Sequence, residues 1–217
     1  MTNVVILGGG YGGVRILHRL LAGGLPESTQ ITLIDRNPYH SLKTEFYALA
    51  AGTSADKDVR VDFPNNDKLH FVFGEVEKID TEQEQIHVRE SDEPVTYDYL
   101  IIGLGCEDNF HGIDGAEQYS QSVQTIKKAR RAGIAVTNLE AGGKVTIVGA
   151  GLSGIEVASE IRESRPDLYV RLLDRGATVL KAFDRKIQNY VEDWFRKNDV
   201  EVIHHADVEY VEERAVC

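Results

Sequence analysis

Two stretches of this chain repeat one hydrophobic pattern. Val4-Val5-Ile6-Leu7 is an unbroken apolar run that gives way to Gly8-Gly9-Gly10-Tyr11-Gly12-Gly13, and an apolar-periodic segment then leads to Ile31-Thr32-Leu33-Ile34-Asp35. Val145-Thr146-Ile147-Val148 gives way to Gly149-Ala150-Gly151-Leu152-Ser153-Gly154 and leads to Val170-Arg171-Leu172-Leu173-Asp174. Short apolar runs bounded by glycines predict strands buried on both faces. Each copy reads as strand, G-x-G-x-x-G turn, helix and a second strand ending in a carboxylate, the pattern of a dinucleotide-binding βαβ unit. The acid stands 27 residues beyond Gly8 and 25 beyond Gly149. One glycine motif is weak evidence, because such turns also serve plain packing. Meeting strand, helix and acid twice is stronger.

The pattern between and after the copies predicts the remaining elements. Asp35-Arg36-Asn37-Pro38 turns the chain, since proline cannot donate to a ladder. Leu42 to Ala51 has helical spacing and ends at Gly52, a helix-terminating glycine. Leu69 to Phe73 predicts a strand returning to the first sheet. Val76 to Ile79, Gln85 to Val88 and Val95 to Tyr97 predict an antiparallel meander. Tyr99-Leu100-Ile101-Ile102 predicts a buried strand entering the Gly103-Leu104-Gly105 loop. Helical spacing returns from Gln124 to Leu139. It returns again with Ile187, Val191, Trp194 and Phe195 on one face, where Trp194 reads as a packing residue. Val200 to Ile203 predicts a strand, and a further alternation has only begun at Val208 and Tyr210, which reads as truncation. The fold class is α/β: two Rossmann-like domains of three layers (ββα), residues 1–112 and 113–217, the second incomplete.

Composition narrows the function. A formal net charge of -11 over 217 residues argues against nucleic acid as a partner, which would require a basic face. Lys127-Lys128-Ala129-Arg130-Arg131 lies in a helical pattern and reads as a solvated helix face. No apolar run approaches the ~20 residues of a membrane span. The N-terminus enters a strand directly, and Cys106 and Cys217 form no redox or metal spacing, so a reduced cytoplasmic setting is expected. His204-His205 follows a strand, where neighbours take opposite faces, so no metal site is expected.

The repeated motif carries its own chemistry. Gly8 and Gly149 permit the tight turn, Gly10 and Gly151 leave no Cβ to collide with a pyrophosphate, and Gly13 and Gly154 let the helix lie close on the strand. The helix N-terminus offers N–H donors and partial positive charge to the anion. Asp35 or Asp174 can accept the hydroxyls of an adenosine ribose. A carboxylate at 174 repels a 2′-phosphate, which favours NADH over NADPH, although the adjacent Arg175 could receive that phosphate.

Joined by Tyr97-Asp98-Tyr99-Leu100-Ile101-Ile102-Gly103-Leu104-Gly105-Cys106, and with Pro38-Tyr39-His40-Ser41-Leu42-Lys43-Thr44-Glu45-Phe46-Tyr47 and Gly149 to Glu156, the chain resembles a known group along its entire length. It is similar to the two-dinucleotide flavoprotein reductases, and within them to the type II (non-proton-pumping) NADH dehydrogenases. The resemblance implies hydride transfer from NADH to FAD, and then electron transfer to an acceptor such as a quinone. It implies that Gly8, Gly10, Tyr11, Gly12, Gly13, Asp35 and Arg36 hold the ADP half of FAD, with Val76 at the adenine. Lys43 and Thr44 match a loop near the isoalloxazine, and Gly103, Leu104 and Gly105 match a stretch closing over the flavin. Gly149, Gly151, Ser153, Gly154 and Asp174 would hold NADH. Glu156 matches a carboxylate near the meeting point of nicotinamide and flavin; a helix-surface acid is the equal alternative. The family more often has Gln-Pro where this chain has Lys43-Thr44, and often serine at Cys106, which reads here as a small buried residue. Relatives continue into a C-terminal region that docks on the cytoplasmic face of a membrane, so peripheral membrane contact would come through that region. A homodimer is compatible with the reading. Two rivals stand beside it: a sulfide:quinone reductase, whose chemistry relies on cysteines absent here, and a catalytically silent nucleotide-binding or redox-sensing module.

Overall fold

The apolar runs fold as strands, and glycines end them. The computed structural model describes residues 1–89 and 91–217. Its elements are β1 (Thr2–Leu7), α1 (Tyr11–Ala22), β2 (Thr29–Asp35), β3 (Tyr39–Ser41), a 3-10 turn (Lys43–Glu45), α2 (Phe46–Ala51), β4 (Arg60–Asp62) and β5 (Leu69–Phe73). Then come β6 (Val76–Asp80), β7 (Gln85–Val88), β8 (Val95–Thr96), β9 (Tyr99–Ile102), α3 (Ala116–Tyr119) and α4 (Ile126–Thr137). The rest is β10 (Lys144–Val148), α5 (Leu152–Ser164), β11 (Tyr169–Leu173), α6 (Arg185–Lys197), β12 (Val200–Ile203), β13 (Val211–Glu212) and β14 (Ala215–Val216). The chain divides into two compact units. The first is Met1–Leu42 with Val59–Glu107, and the second is Lys43–Asp58 with Asp108–Cys217. This division is not the linear cut at 112/113: the segment containing α2 packs on α4 and α5.

In the first unit the described strands form a parallel sheet in the order β5-β2-β1-β9. β1 is central, so Val5, Ile6 and Leu7 are fully buried on both faces. One face packs Ile6, Ile31 and Leu33 against Leu17 of α1. The other packs Val5, Leu7 and Ile34 against Ile86 and Val88 of the antiparallel β6-β7-β8 meander. Meander, sheet and helix make the three layers expected. Burying one such Leu or Ile stabilises the fold by ~1.5–3 kcal/mol. β9 departs from expectation: it pairs only with β1 at the sheet edge, which leaves Tyr99 65% and Ile102 63% exposed rather than buried.

The second unit repeats the plan as a parallel sheet, β10-β11-β12, with Val170 and Leu172 of the central strand fully buried. α5 contributes Ile155, Ala158 and Ile161 to the core, and α6 contributes Phe195 with Val191 and Trp194 packed beside it. Trp194 is a packing residue, as its spacing predicts, but Ile187 at the start of the same stripe is exposed. Asp184 caps α6 by accepting from the Lys186 and Ile187 N–H groups at 2.9 and 3.1 Å. Lys127, Lys128, Arg130 and Arg131 are exposed on α4; Lys128 bridges to Asp108 and Arg130 to Asp56. The Val208–Tyr210 alternation leads into a small β13–β14 ribbon. Among the described residues no helix is long and apolar enough to cross a membrane.

Candidate functional site

In the first unit, β1 stops at Gly8 because that residue takes φ +94°, a left-handed conformation suited to glycine. A Cβ there would also lie 2.3 Å from the Gly103 carbonyl, and one on Gly13 would lie 1.9 Å from the Gly8 carbonyl. Gly8, Gly13 and Gly103 are therefore glycines because three backbone segments meet. Gly103 anchors its own side by donating its N–H to Leu7 O at 2.7 Å. Gly10 and Gly12 differ: nothing lies within 4 Å of where their Cβ atoms would be. Gly10 has ordinary extended backbone (φ -77°) as the N-cap of α1. The fold does not require glycine at 10, and the open space lies at a helix N-terminus with no acidic residue in its first turn. Such an end attracts an anion that bare backbone can approach.

Asp35 closes this turn. Its Oδ2 accepts from the Gly9 N–H and its Oδ1 from the Asn37 N–H, both at 2.7 Å. The Asn37 side-chain amide also donates to Oδ1, at 3.4 Å; a carboxylate has about four acceptor sites, so acceptor capacity remains for a hydroxyl donor. The Asp35 carbonyl accepts from the Gly74 N–H at 2.9 Å, which carries Val76, two residues on, to this edge of the sheet. Arg36 is exposed and faces Glu107 at 3.6 Å. Leu104 and Gly105 are exposed, and so is Cys106, contrary to its reading as a small buried residue. The loop follows the edge strand β9. Two neighbours carry no spacing signal: Phe63, whose ring occupies the space a Gly9 Cβ would need, and His40, which is buried with Nδ1 2.8 Å from the Gly9 carbonyl.

The second unit rebuilds the same turn. Gly149 takes φ +105°, and a Cβ on Gly154 would lie 1.9 Å from the Gly149 carbonyl. Gly151 has nothing within 4 Å and ordinary φ of -78°. Asp174 accepts from Ala150 N–H and Gly176 N–H, both at 2.6 Å. Ser153 is exposed in the first turn of α5. The structure thus brings Gly149, Gly151, Ser153, Gly154 and Asp174 together around one helix end.

Lys43, Thr44 and Glu156 also belong to the second unit, where Glu156 projects from α5. Partial burial raises the Glu156 carboxyl above the usual carboxylate range, and the nearby charge of Glu45 adds to this. The phenol of Tyr47 is pushed up first by Glu45, then by burial and by Glu160 and Glu156. These acids therefore share one electrostatic neighbourhood.

Fold and turns define a protein with two dinucleotide-binding Rossmann units. Over residues 2–216 the chain matches, and belongs to, the pyridine nucleotide-disulphide oxidoreductase family. It is 49% identical over 216 residues to the NADH dehydrogenase-like protein YutJ of Bacillus subtilis (strain 168), covering 100% of this chain and 61% of that protein. It is 27% identical over 224 residues to the type II NADH:quinone oxidoreductase of Staphylococcus haemolyticus (strain JCSC1435), covering 92% and 55%. The structure of the sulfide:quinone oxidoreductase of Aquifex aeolicus superposes with a TM-score of 0.84 at 22% identity, over 100% of this chain and 54% of that one, a likeness of fold. The chain spans 55–61% of the length of these curated relatives.

Proposed function

We propose that this chain is the two-dinucleotide portion of an NADH dehydrogenase, with FAD on the first turn and NADH on the second. The observation that carries the reading is the pair of matching turns, each with an unrequired glycine opening on a helix N-terminus and a carboxylate tied to the same turn position. FAD held on the first turn would supply the two-electron redox chemistry that links NADH to an acceptor, a quinone in this reading, as in the named activity of the Staphylococcus relative. The protein's own work is binding, orientation and exclusion of water.

Gly10, Tyr11, Gly12 and Gly13 present the N-terminus of α1 to the FAD pyrophosphate, Asp35 accepts a ribose hydroxyl, Arg36 borders the phosphates and Val76 faces the adenine. Gly103 to Gly105, in the first unit, border the isoalloxazine. Gly149, Gly151, Ser153 and Gly154 hold the NADH pyrophosphate, and Asp174 takes its ribose and disfavours NADPH. Glu156, which keeps a proton at its carboxyl to higher pH than an ordinary glutamate, stands at the nicotinamide end. A quinone acceptor places the work at a membrane surface.

The test is an anaerobic absorbance experiment on the purified chain reconstituted with FAD. Bleaching of the flavin band by NADH, and its return on adding a soluble quinone, is the expected result. A retained flavin that NADH does not bleach would leave a nucleotide-binding module in place of the enzyme.

A further inference from the structure

The middle residue of the first turn, Gly9, is held by side chains on both of its peptide groups. Gly9 N–H donates to Asp35 Oδ2 at 2.7 Å, and Gly9 O sits 2.8 Å from His40 Nδ1. A carbonyl can only accept, so Nδ1 carries the hydrogen. His40 is buried at the centre of β3, with the Tyr11 ring edge-on at 4.9 Å between centroids. The second turn has the same two ties with a different donor. Ala150 N–H donates to Asp174 Oδ2 at 2.6 Å, and Ala150 O accepts from the Leu180 backbone N–H at 2.8 Å. Leu180 does this at φ +49°, in the left-handed region that disfavours a leucine. A strained backbone donor in one copy and a buried imidazole donor in the other point to a shared need.

Peptide planarity supplies that need. In a trans peptide the carbonyl and the following N–H point in opposite directions across one rigid plane. Tying the Gly9 carbonyl inward to His40 therefore aims the Gly10 N–H outward, where the space beside Gly10 is open. Unpinned, a peptide between two glycines would rotate freely, and ordering it would oppose ligand binding.

We propose that His40 is a positioning residue for the first dinucleotide site: its Nδ1–H locks the Gly9–Gly10 peptide so that the Gly10 N–H is preset toward the pyrophosphate of FAD. This rests on the reading of the first copy as the FAD site. The experiment compares His40→Asn and His40→Gln with the unaltered full chain, reading FAD affinity by flavin-fluorescence quenching and ligand-free stability by thermal melting. Asn carries its amide nitrogen on Cγ, where histidine carries Nδ1; Gln carries it one bond farther. The Asn variant should bind FAD within about threefold of the unaltered chain, and the Gln variant at least tenfold more weakly, with NADH affinity unchanged in both. His40→Met, which fills the space without any donor, should behave as Gln and serves in its place if Gln prevents folding. Equal FAD affinities for the Asn variant and for the Gln or Met variant would overturn the proposal, as would losses that merely follow the melting temperature. Failure of the unaltered chain to bind FAD would instead overturn the assignment of the first site, and this proposal with it.

Discussion

Glycines 10 and 13 stand three positions apart in one motif and answer to different forces. A methyl group on Gly13 would collide with the Gly8 carbonyl, so Gly13→Ala should destabilise the chain by ~1–3 kcal/mol as the turn and α1 are forced apart. Gly10→Ala meets no protein atom and has ordinary φ, so its melting temperature should stay near that of the parent while FAD affinity falls. Thermal melts and FAD titrations of both variants check this; a Gly10→Ala protein that melts early would show that the fold, and not a ligand, requires that glycine. Glu156 makes a pH prediction. Its carboxyl is raised in the folded chain, so the native state holds this proton to higher pH than the unfolded chain. Stability is therefore lost as pH rises from the ordinary glutamate range through Glu156's own, and the deficit is complete above it. Glu156→Gln should be more stable than the parent at pH 7, with the difference vanishing below the ordinary glutamate range. A gap that persists unchanged in acid would contradict the assignment. At this scale the glycines and acids were legible from spacing. His40 and Phe63 were not, because their contacts with Gly9 are made across the fold.

Periodicity located the long elements well, since α1, α5 and the central strands each have a continuous apolar face or run. It overran where local backbone took another path. The spacing from Leu42 to Ala51 predicts one helix, but Lys43–Glu45 forms a 3-10 turn and the α-helix is only Phe46–Ala51. The helix predicted from Gln124 starts at Ile126, because Thr125 caps it by accepting from Lys128 N–H at 3.2 Å. An apolar run alone also could not tell the edge strand β9 from the central β1. Inside α4, Gly133 looks like a weak point, yet a Cβ there would lie 2.3 Å from the Leu49 carbonyl. The glycine permits α2 and α4 to touch backbone to backbone. Gly133→Ala therefore reverses the usual helix preference: it should cost about 1–3 kcal/mol instead of gaining up to 1. Denaturant melts read the sign directly, and a stabilised variant would refute the close crossing.

For the whole molecule, duplication was the legible feature and the division of the chain was not. Two βαβ units were visible because each repeats turn, helix and acid in order. The placement of Lys43–Asp58 with the second unit depends on α2 packing against α4 and α5, which no local pattern encodes. Sharing one family with an NADH dehydrogenase-like relative at 49% identity is consistent with the duplication serving two different dinucleotides. That division of labour is the central claim, and the paired variants Gly10→Ala and Gly151→Ala test it, since neither added methyl group meets protein. Calorimetric titration of the parent and both variants with FAD, and then with NADH, is the direct measurement. The account predicts a crossover: Gly10→Ala weakens FAD and spares NADH, while Gly151→Ala weakens NADH and spares FAD. Parallel losses of both ligands in both variants, or loss of the opposite ligand in either, would contradict it.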